Sequence, residues 1–400
     1  MRENTSSTSS SLNFWSLPID HRLTWIYRII LLGLLIQVLA SWPLWWKTKT
    51  VVSYLSVFTF FDEWLVDSYL VVFPLFLVII FLSLIFPNKV IFTKILLIAG
   101  LLLVVGNIHR LQVWFYLYGL LLFLFAWKKK IYPESLFLTI RLVIVGVYVW
   151  SGLHKFNIHF EDIIFHWLFE PIGVKLPSWM SYLPGGVELL IGFGLLFKPT
   201  RHLSVFGCLL FHGIILGLLG PLGHNWNIVV WPWNLGMPIL VFLLFYKTKD
   251  LDLKDNKSSL FSFVPGAAVL ILVWILPAFN YFGFTPEQLS FKMYAGSNPE
   301  IVLYFGEKDR NLVGNHPTIN KPLSSASLSN YRVVLDDIAS PNGVLRFSRQ
   351  SQQLVRLESS FVIKCSLQRR EEYCIWSMMI LFGCLVKKFN KECLKIKVRS

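Results

Sequence analysis

The feature that most constrains this chain is the recurrence of long apolar runs. Runs of about 17–25 residues, the length an α-helix needs to cross a bilayer, follow one another from Arg22 to Leu276. Hydrophobic residues make up 55% of the 400 residues and charged residues only 15%. A soluble domain could not bury so much continuous apolar sequence, whereas a bilayer accepts helices that satisfy their own backbone hydrogen bonds. The sequence therefore predicts an all-α polytopic membrane protein.

The runs predict a bundle of about nine transmembrane helices within residues 22–280. The predicted spans are residues 22–42, 64–86, 90–108, 111–127, 136–153, 181–197, 203–219, 227–246 and 260–276. Residues 51–61 are too few to cross, so we expect them to lie at the membrane interface. Residues 1–21 form a polar segment before the first span. We expect the first span to act as a signal anchor.

The last part of the chain, residues 281–400, changes to a mixed polar, Ser-rich and basic composition. Stretches such as YRVVLDD and GVLRF are candidate strands, so we expect a small extramembrane α+β tail. Residues 375–386 are apolar but too few for a predicted span. Four tail cysteines, at spacings of nine or ten, do not match a metal site, and their pairing stays open: Cys365, Cys374, Cys384 and Cys393.

The distribution of basic residues predicts the orientation. One side of the predicted bundle carries Arg2, Arg22, Lys89, Lys128, Lys129, Lys130, Lys198, Arg201, Lys247, Lys249, Lys254 and Lys257. The other side carries far fewer before the tail: Lys47, Lys49, Arg110, Lys155 and Lys175. The positive-inside rule places the first set and the N-terminus in the cytoplasm and the tail on the outer face. The net charge of +14 is then explained by lysines facing anionic lipid, and no nucleic-acid-binding motif accompanies it.

The most informative stretch is VYVWSGLHKFNIHFEDIIFHWLFEP, residues 147–171. It places Lys155 at the end of a predicted span, next to the small pair Ser151 and Gly152. An ionisable residue within a membrane helix indicates a functional site by default. The alternative is that Lys155 only extends to the lipid headgroups. We interpret the small pair as a helix-packing element, not as a nucleophile.

A few other polar residues lie within or beside the predicted spans near the same side of the bundle. They are Glu188, His212, Asn225, Asn227 and Asn234. Pairing Lys155 with Glu188 would lower the cost of burying either charge. We expect these groups to line one polar cavity, and the alternative is that they only hydrogen-bond the helices together.

Other kinds of site are not supported. His154, His159 and His166 are spaced so that they cannot share one helical face, and no HExxH motif is present, so we expect no metal. No phosphate-binding loop, GxSxG or CxxC motif occurs. Arg110, beside aromatic residues that include Trp114, is a candidate anchor for an anionic or quinone-like head group. Its alternative role is that of an interfacial arginine.

Three stretches together resemble a known family. SGLHKFNIHFEDIIFHWLFEPI, VELLIGFGLLFKPTRHLSVFGCLLFH and QVWFYLYGLLLF look like segments of the horizontally transferred transmembrane domain of vitamin K-dependent gamma-carboxylases. The likeness extends over about residues 12–246. RLVIVGVYVWSGLHKF followed by VELLIGFGLL is also similar to the DoxX/MauE group of redox-associated membrane proteins. We assign residues 64–246 to this carboxylase-like or DoxX-like part.

The resemblance implies a quinone or quinol cofactor and a lysine base, and Lys155 occupies the position of that base. We assign Lys155 and Glu188 to the candidate catalytic pair. The candidate cofactor-binding residues are Arg110, Trp114, His154, His212, Asn225, Asn227 and Asn234. The chain departs from the carboxylases in having Trp114 or the more distant His109 where they carry a helper histidine. Where the carboxylases carry a large lumenal domain, about a hundred dissimilar residues follow the last predicted span, so we do not expect glutamate carboxylation.

Two further hypotheses about the function stay open. The chain could be a DoxX-like subunit that binds quinone or a redox partner protein without lysine chemistry. It could also be a membrane scaffold or a small-solute carrier.

Overall fold

A computed structural model describes residues 18–46, 62–248 and 263–295, together with the short pieces 301–306, 324–327, 330–334 and 362–365. The predicted interfacial segment 51–61, the apolar stretch 375–386 and Cys374, Cys384 and Cys393 lie outside these residues. So does most of the polar N-terminal segment.

The described part of the chain before residue 295 is helical. Its α-helices are α1 (Ile19–Ala40), α2 (Trp42–Trp46), α3 (Asp62–Ile85), α4 (Val90–Gly106), α5 (Val113–Phe125), α6 (Pro133–Leu153), α7 (His166–Phe169), α8 (Tyr182–Leu196), α9 (Lys198–Leu219), α10 (Val230–Phe245) and α11 (Val264–Trp274). A π-helical segment, Phe160–Phe165, precedes α7. Short 3₁₀ turns extend several ends, including Ile108–Arg110, Lys128–Lys130, Ser178–Ser181, Leu276–Phe282 and Glu287–Ser290.

Among the residues that the structure describes, five helical stretches are long and apolar enough to cross a membrane. They are Ile19–Ala40, Pro133–Leu153, Ser178–Leu196, Lys198–Leu219 and Val264–Phe282. Four shorter apolar helices fall within other predicted spans: Leu70–Ile85, Val90–Gly106, Val113–Phe125 and Val230–Phe245. These lengths are compatible with an integral membrane protein, and the count of nine crossings stays a prediction.

Apolar side chains cover the outside of the helices as well as the inside. Leu101, Leu190 and Leu203 are 64%, 73% and 75% exposed, while Ile26 and Val143 are fully buried. A water-soluble surface would carry polar groups at such positions, whereas lipid requires apolar ones. The described bundle is therefore apolar on both faces of its helices, as expected for helices surrounded by hydrocarbon.

Arginines within the predicted spans bind the ends of neighbouring helices. Arg22 of α1 donates to the carbonyl oxygens of Leu243 (2.9 Å) and Tyr246 (3.1 Å) at the end of α10. Arg141 of α6 donates to the carbonyl of Leu244 at 2.8 Å. The last carbonyls of a helix lack partners within the helix and carry partial negative charge. These two cations therefore join the first turn of α1 and the first half of α6 to the end of α10.

The described pieces of the tail form four short strands: β1 (Ile301–Gly306), β2 (Ser324–Ser327), β3 (Asn330–Val334) and β4 (Val362–Cys365). They pair antiparallel in the order β2-β3-β1-β4, with Leu303 opposite Val333 and Ile363. β3 overlaps the YRVVLDD stretch at residues 331–334, and the GVLRF stretch lies outside the described residues.

Candidate functional site

The site begins at a close crossing of α6 and α8. A Cβ atom on Gly152 would lie 2.7 Å from the carbonyl oxygen of Gly185, and one on Gly185 would lie 2.9 Å from the carbonyl oxygen of Gly152. No larger residue fits either position without moving a backbone. Each glycine is followed three residues later by a charged residue, Lys155 or Glu188. The contact between the glycines therefore brings the two charges together.

Lys155 and Glu188 form a buried ion pair, with 2.6 Å between Nζ and Oε2 and side chains that are each 9% exposed. Lys155 Nζ also donates to the hydroxyl (2.9 Å) and carbonyl (3.2 Å) oxygens of Ser151. Ser151 Oγ in turn donates to Glu188 Oε1 at 3.2 Å. An ammonium has three hydrogens to donate, and here all three have acceptors. Lys155 therefore points into the protein and does not extend to the surface.

A second hydrogen-bonded chain lies beside the ion pair. Asn234 Nδ2 donates to the carbonyl of Val230 at 2.8 Å, so its Oδ1 is the atom that faces His212 Nδ1 at 2.7 Å. His212 Nδ1 must then carry the hydrogen, and in the neutral ring Nε2 accepts from the Tyr148 hydroxyl at 2.7 Å. The Cys208 thiol, 3.0 Å from the same hydroxyl, is left as its donor. The backbone of α10 thus sets the tautomer of His212.

The ion pair and the hydrogen-bonded chain that contains His212 both face one cavity of about 110 Å³. Lys155, Glu188, Ser151, Tyr148, His212 and Asn234 form its polar edge. Most of the remaining wall is apolar, and includes Val147, Ile164, Phe211, Leu218 and Met237. A small number of polar groups converging in an apolar pocket is typical of a ligand site.

Two segments cover the cavity. Trp167 comes from the short helix α7, where His224 stacks on its ring at 4.0 Å and donates to its carbonyl at 2.7 Å. Met293 and Tyr294 come from the segment after α11, and Asn227 donates to the Tyr294 hydroxyl at 3.1 Å. Asn227 and Tyr294 both have positive φ, 49° and 51°, a conformation that favours Asn over most non-glycine residues.

The structure places the other predicted site residues away from the cavity wall. Arg110 is 1% exposed and donates to the carbonyls of Leu44 (3.2 Å), Trp45 (3.2 Å) and Leu103 (3.1 Å). Trp114 packs on Trp45 with 6.1 Å between ring centroids. The observed contacts of both residues therefore join α2, α4 and α5.

The remaining predicted residues, Asn227 among them, do not line the cavity. His154 stacks on Tyr281 at 4.9 Å, and Asn225 is an exposed turn residue with φ of 46°. His109 lies in the turn between α4 and α5, where burial lowers its pKa. None of the three is part of the cavity wall.

Sequence reasoning missed two members of the polar edge, Tyr148 and Ser151. Tyr148, Ser151 and Lys155 are separated by three and four residues, the spacing that places side chains on one face of a helix. That spacing was the available signal, but Tyr148 lies in an otherwise apolar run. Ser151 was interpreted only as a packing residue, a role that its neighbour Gly152 does fill.

Within the described residues, no group of three or more His, Cys, Asp or Glu side chains is arranged to hold a metal ion. Cys208 is a buried free thiol. Comparisons of the chain with protein-family models, with curated proteins and with solved structures return no match.

Proposed function

We propose that this chain is an integral membrane enzyme whose cavity binds a quinol or a related isoprenoid head group, with Lys155 as the base. The observation that supports this most directly is the buried Lys155–Glu188 pair at the edge of an apolar cavity. Burying two charges costs several kcal/mol each before their attraction is counted. Such a pair beside a cavity favours chemistry over simple helix association.

The volume of the cavity favours a small aromatic head group. About 110 Å³ is of the order of an apolar cavity that holds benzene. The hydroxyl groups of a quinol could meet Ser151 and Glu188 on one side and the Tyr148–His212 pair on the other. Ile214, which lines the cavity, is 49% exposed on the outside of α9. A residue that both lines the cavity and faces outward offers an isoprenoid tail an exit to the lipid beside α9.

Lys155 can become a base by one short proton transfer. Moving a proton across the 2.6 Å from Nζ to Glu188 Oε2 leaves a neutral amine and a carboxylic acid. A neutral amine within reach of a bound hydroxyl can accept its proton. In the carboxylases that the sequence resembles, a lysine in the corresponding segment has this role. Ser151 and Glu188 then position the amine.

The test is consumption of a quinol by the purified protein in lipid and air-saturated buffer, where dissolved O2 is the oxidant, with ubiquinol, menaquinol and vitamin K hydroquinone tried in turn. We expect turnover of one quinol by the wild type and a loss of at least about 100-fold in Lys155→Ala, as for other catalytic bases. Lys175→Ala is the matched control, because Lys175 is an exposed lysine in the loop before α8. It should keep full activity.

The other outcomes identify other functions. Quinol binding without turnover in the wild type would reject lysine chemistry and favour a DoxX-like subunit that passes electrons to a partner protein. Neither binding nor turnover, with both proteins folded, would reject the quinone site. A membrane scaffold or a small-solute carrier would then be the better description.

A further inference from the structure

A second and larger cavity, of about 500 Å³, lies at the other end of α6. Pro133 and Leu136, from the first turn of α6, line it, whereas the quinol cavity lies at the last turns of the same helix. We call it the lysine-end cavity, because Lys128 and Lys129 form part of its wall. No step of the proposed quinol chemistry uses it.

The walls of this cavity are divided between charge and apolar surface. Lys128, Lys129 and His21 supply basic groups, and Asp20 supplies one carboxylate. Leu23, Phe125 and Leu136, all buried, form an apolar floor. A site with basic groups above an apolar floor, at the end of membrane-length helices, matches a molecule with an anionic head and a hydrocarbon body.

Lys128 is held in place before any ligand arrives. Its ammonium donates to the carbonyl of Pro87 at 2.6 Å and lies 5.7 Å from the centre of the Tyr27 ring. Burial, and then the charge of Lys129, lowers the pKa of Lys128. An anion beside the two lysines would offset both causes of the lowered pKa. It would replace the water that Lys128 loses on burial, and it would reduce the repulsion between the two ammonium groups. The neighbouring Lys129 is exposed and available to contact it.

We propose that the lysine-end cavity binds the phosphate of an anionic phospholipid, with Lys128 and Lys129 at the phosphate and one acyl chain on the floor formed by Leu23, Phe125 and Leu136. A soluble phosphate would meet the same lysines but would leave the apolar floor uncovered. The apolar floor therefore favours a lipid. This site does not depend on the proposed quinol activity.

The chain provides a close control for the test. Lys129 and Lys130 are adjacent, exposed and equally charged, but only Lys129 lines the cavity. The affinity of the detergent-solubilised full chain for phosphatidylglycerol and for phosphatidylcholine would be measured by native mass spectrometry for wild type, Lys129→Gln and Lys130→Gln. We expect phosphatidylglycerol to bind more tightly than phosphatidylcholine. Lys129→Gln should weaken that binding about fivefold, the effect of one basic residue near anionic lipid, and Lys130→Gln by less than about twofold.

Three results would overturn the proposal. Equal losses in the two variants would show that the lysine cluster attracts anionic lipid through its charge alone. Equal affinity for phosphatidylglycerol and phosphatidylcholine, which both carry a phosphate but differ in net charge, would show that the two lysines do not select an anionic head group. Displacement of the lipid by inorganic phosphate at millimolar concentration, lost in Lys129→Gln, would identify a soluble phosphate as the ligand. Failure of the quinol test would leave all of these measurements unaffected.

Discussion

At the scale of residues, the ion pair of Lys155 and Glu188 connects the fold to the proposed chemistry. Each charge is acceptable in the apolar interior only because the other lies 2.6 Å away and Ser151 satisfies the remaining hydrogen bonds. Removing one partner leaves an unpaired buried charge, whereas replacing both by apolar residues removes the charge burial altogether. Stability and activity should therefore respond differently to the same substitutions.

This difference predicts the result of a double-mutant cycle. Lys155→Met and Glu188→Leu should each lower the free energy of unfolding by about 3–5 kcal/mol. The double variant should lose much less than the sum, because no charge stays unpaired. Equilibrium unfolding in mixed micelles measures all four proteins. Additive losses would show that the two side chains do not interact in the folded protein. Whatever its stability, the double variant should still lack quinol turnover.

At the scale of elements, the crossing of α6 and α8 determines whether the pair can form. Gly185 and Gly186 are neighbours in α8, yet a Cβ on Gly185 would lie 2.9 Å from a backbone oxygen of α6, whereas a Cβ on Gly186 would meet nothing within 4 Å. The two positions therefore differ in whether they have room for a side chain. Only Gly185 is required by the approach of another helix.

Alanine at each of these glycines should have opposite effects. Gly186→Ala should stabilise the protein by roughly 0.5–1 kcal/mol, since alanine loses less backbone freedom in a helix. Gly185→Ala should destabilise it by about 1–3 kcal/mol, because α8 must move away from α6. It should also lower quinol turnover by lengthening the Lys155–Glu188 contact. Thermal unfolding and turnover of the two variants provide the comparison, and equal behaviour would contradict the close crossing.

At the scale of the whole molecule, the two cavities occupy opposite ends of α6, so the orientation in the membrane decides which compartment each one faces. The basic residues predict that Lys129 faces the cytoplasm and Lys175 the outer side. Single cysteines at these positions, in a chain whose four tail cysteines are replaced by serine, would be labelled with a membrane-impermeant maleimide in intact cells. We expect Lys175→Cys to react at once and Lys129→Cys only after the cells are opened.

The reverse labelling pattern would show that the protein has the opposite orientation, with the Lys155 end of α6 in the cytoplasm. Labelling of both positions from outside would mean that α6 does not cross the bilayer. Cys208 needs no replacement because it is buried within the bundle.

Much of the helical part of the fold could be predicted, but less of the site. Each predicted span coincides with an apolar helix, since hydrophobic runs of this length have few other ways to fold. Six groups were expected to line one cavity; Lys155, Glu188, His212 and Asn234 do so, because unpaired charges and amides cannot be left in hydrocarbon, whereas Asn225 and Asn227 do not. The roles of Arg110 and Trp114 could not be predicted, since a cation beside aromatic residues at a helix end fits a ligand anchor, an interfacial arginine and a contact that joins helices.

The sequence by itself determined the apolar, helical character of the chain and the few places where charge enters it. Only the tertiary structure decided which polar groups meet. Tyr148 hydrogen-bonds His212, which lies 64 residues later in the sequence. Arg22 hydrogen-bonds the end of α10, which lies more than 220 residues later. Such pairings depend on how helices pack, and packing depends on details such as the absence of a side chain at Gly152 and Gly185. Composition and periodicity show which face of a helix is polar, but the partner of that face is set by the contacts of the folded bundle.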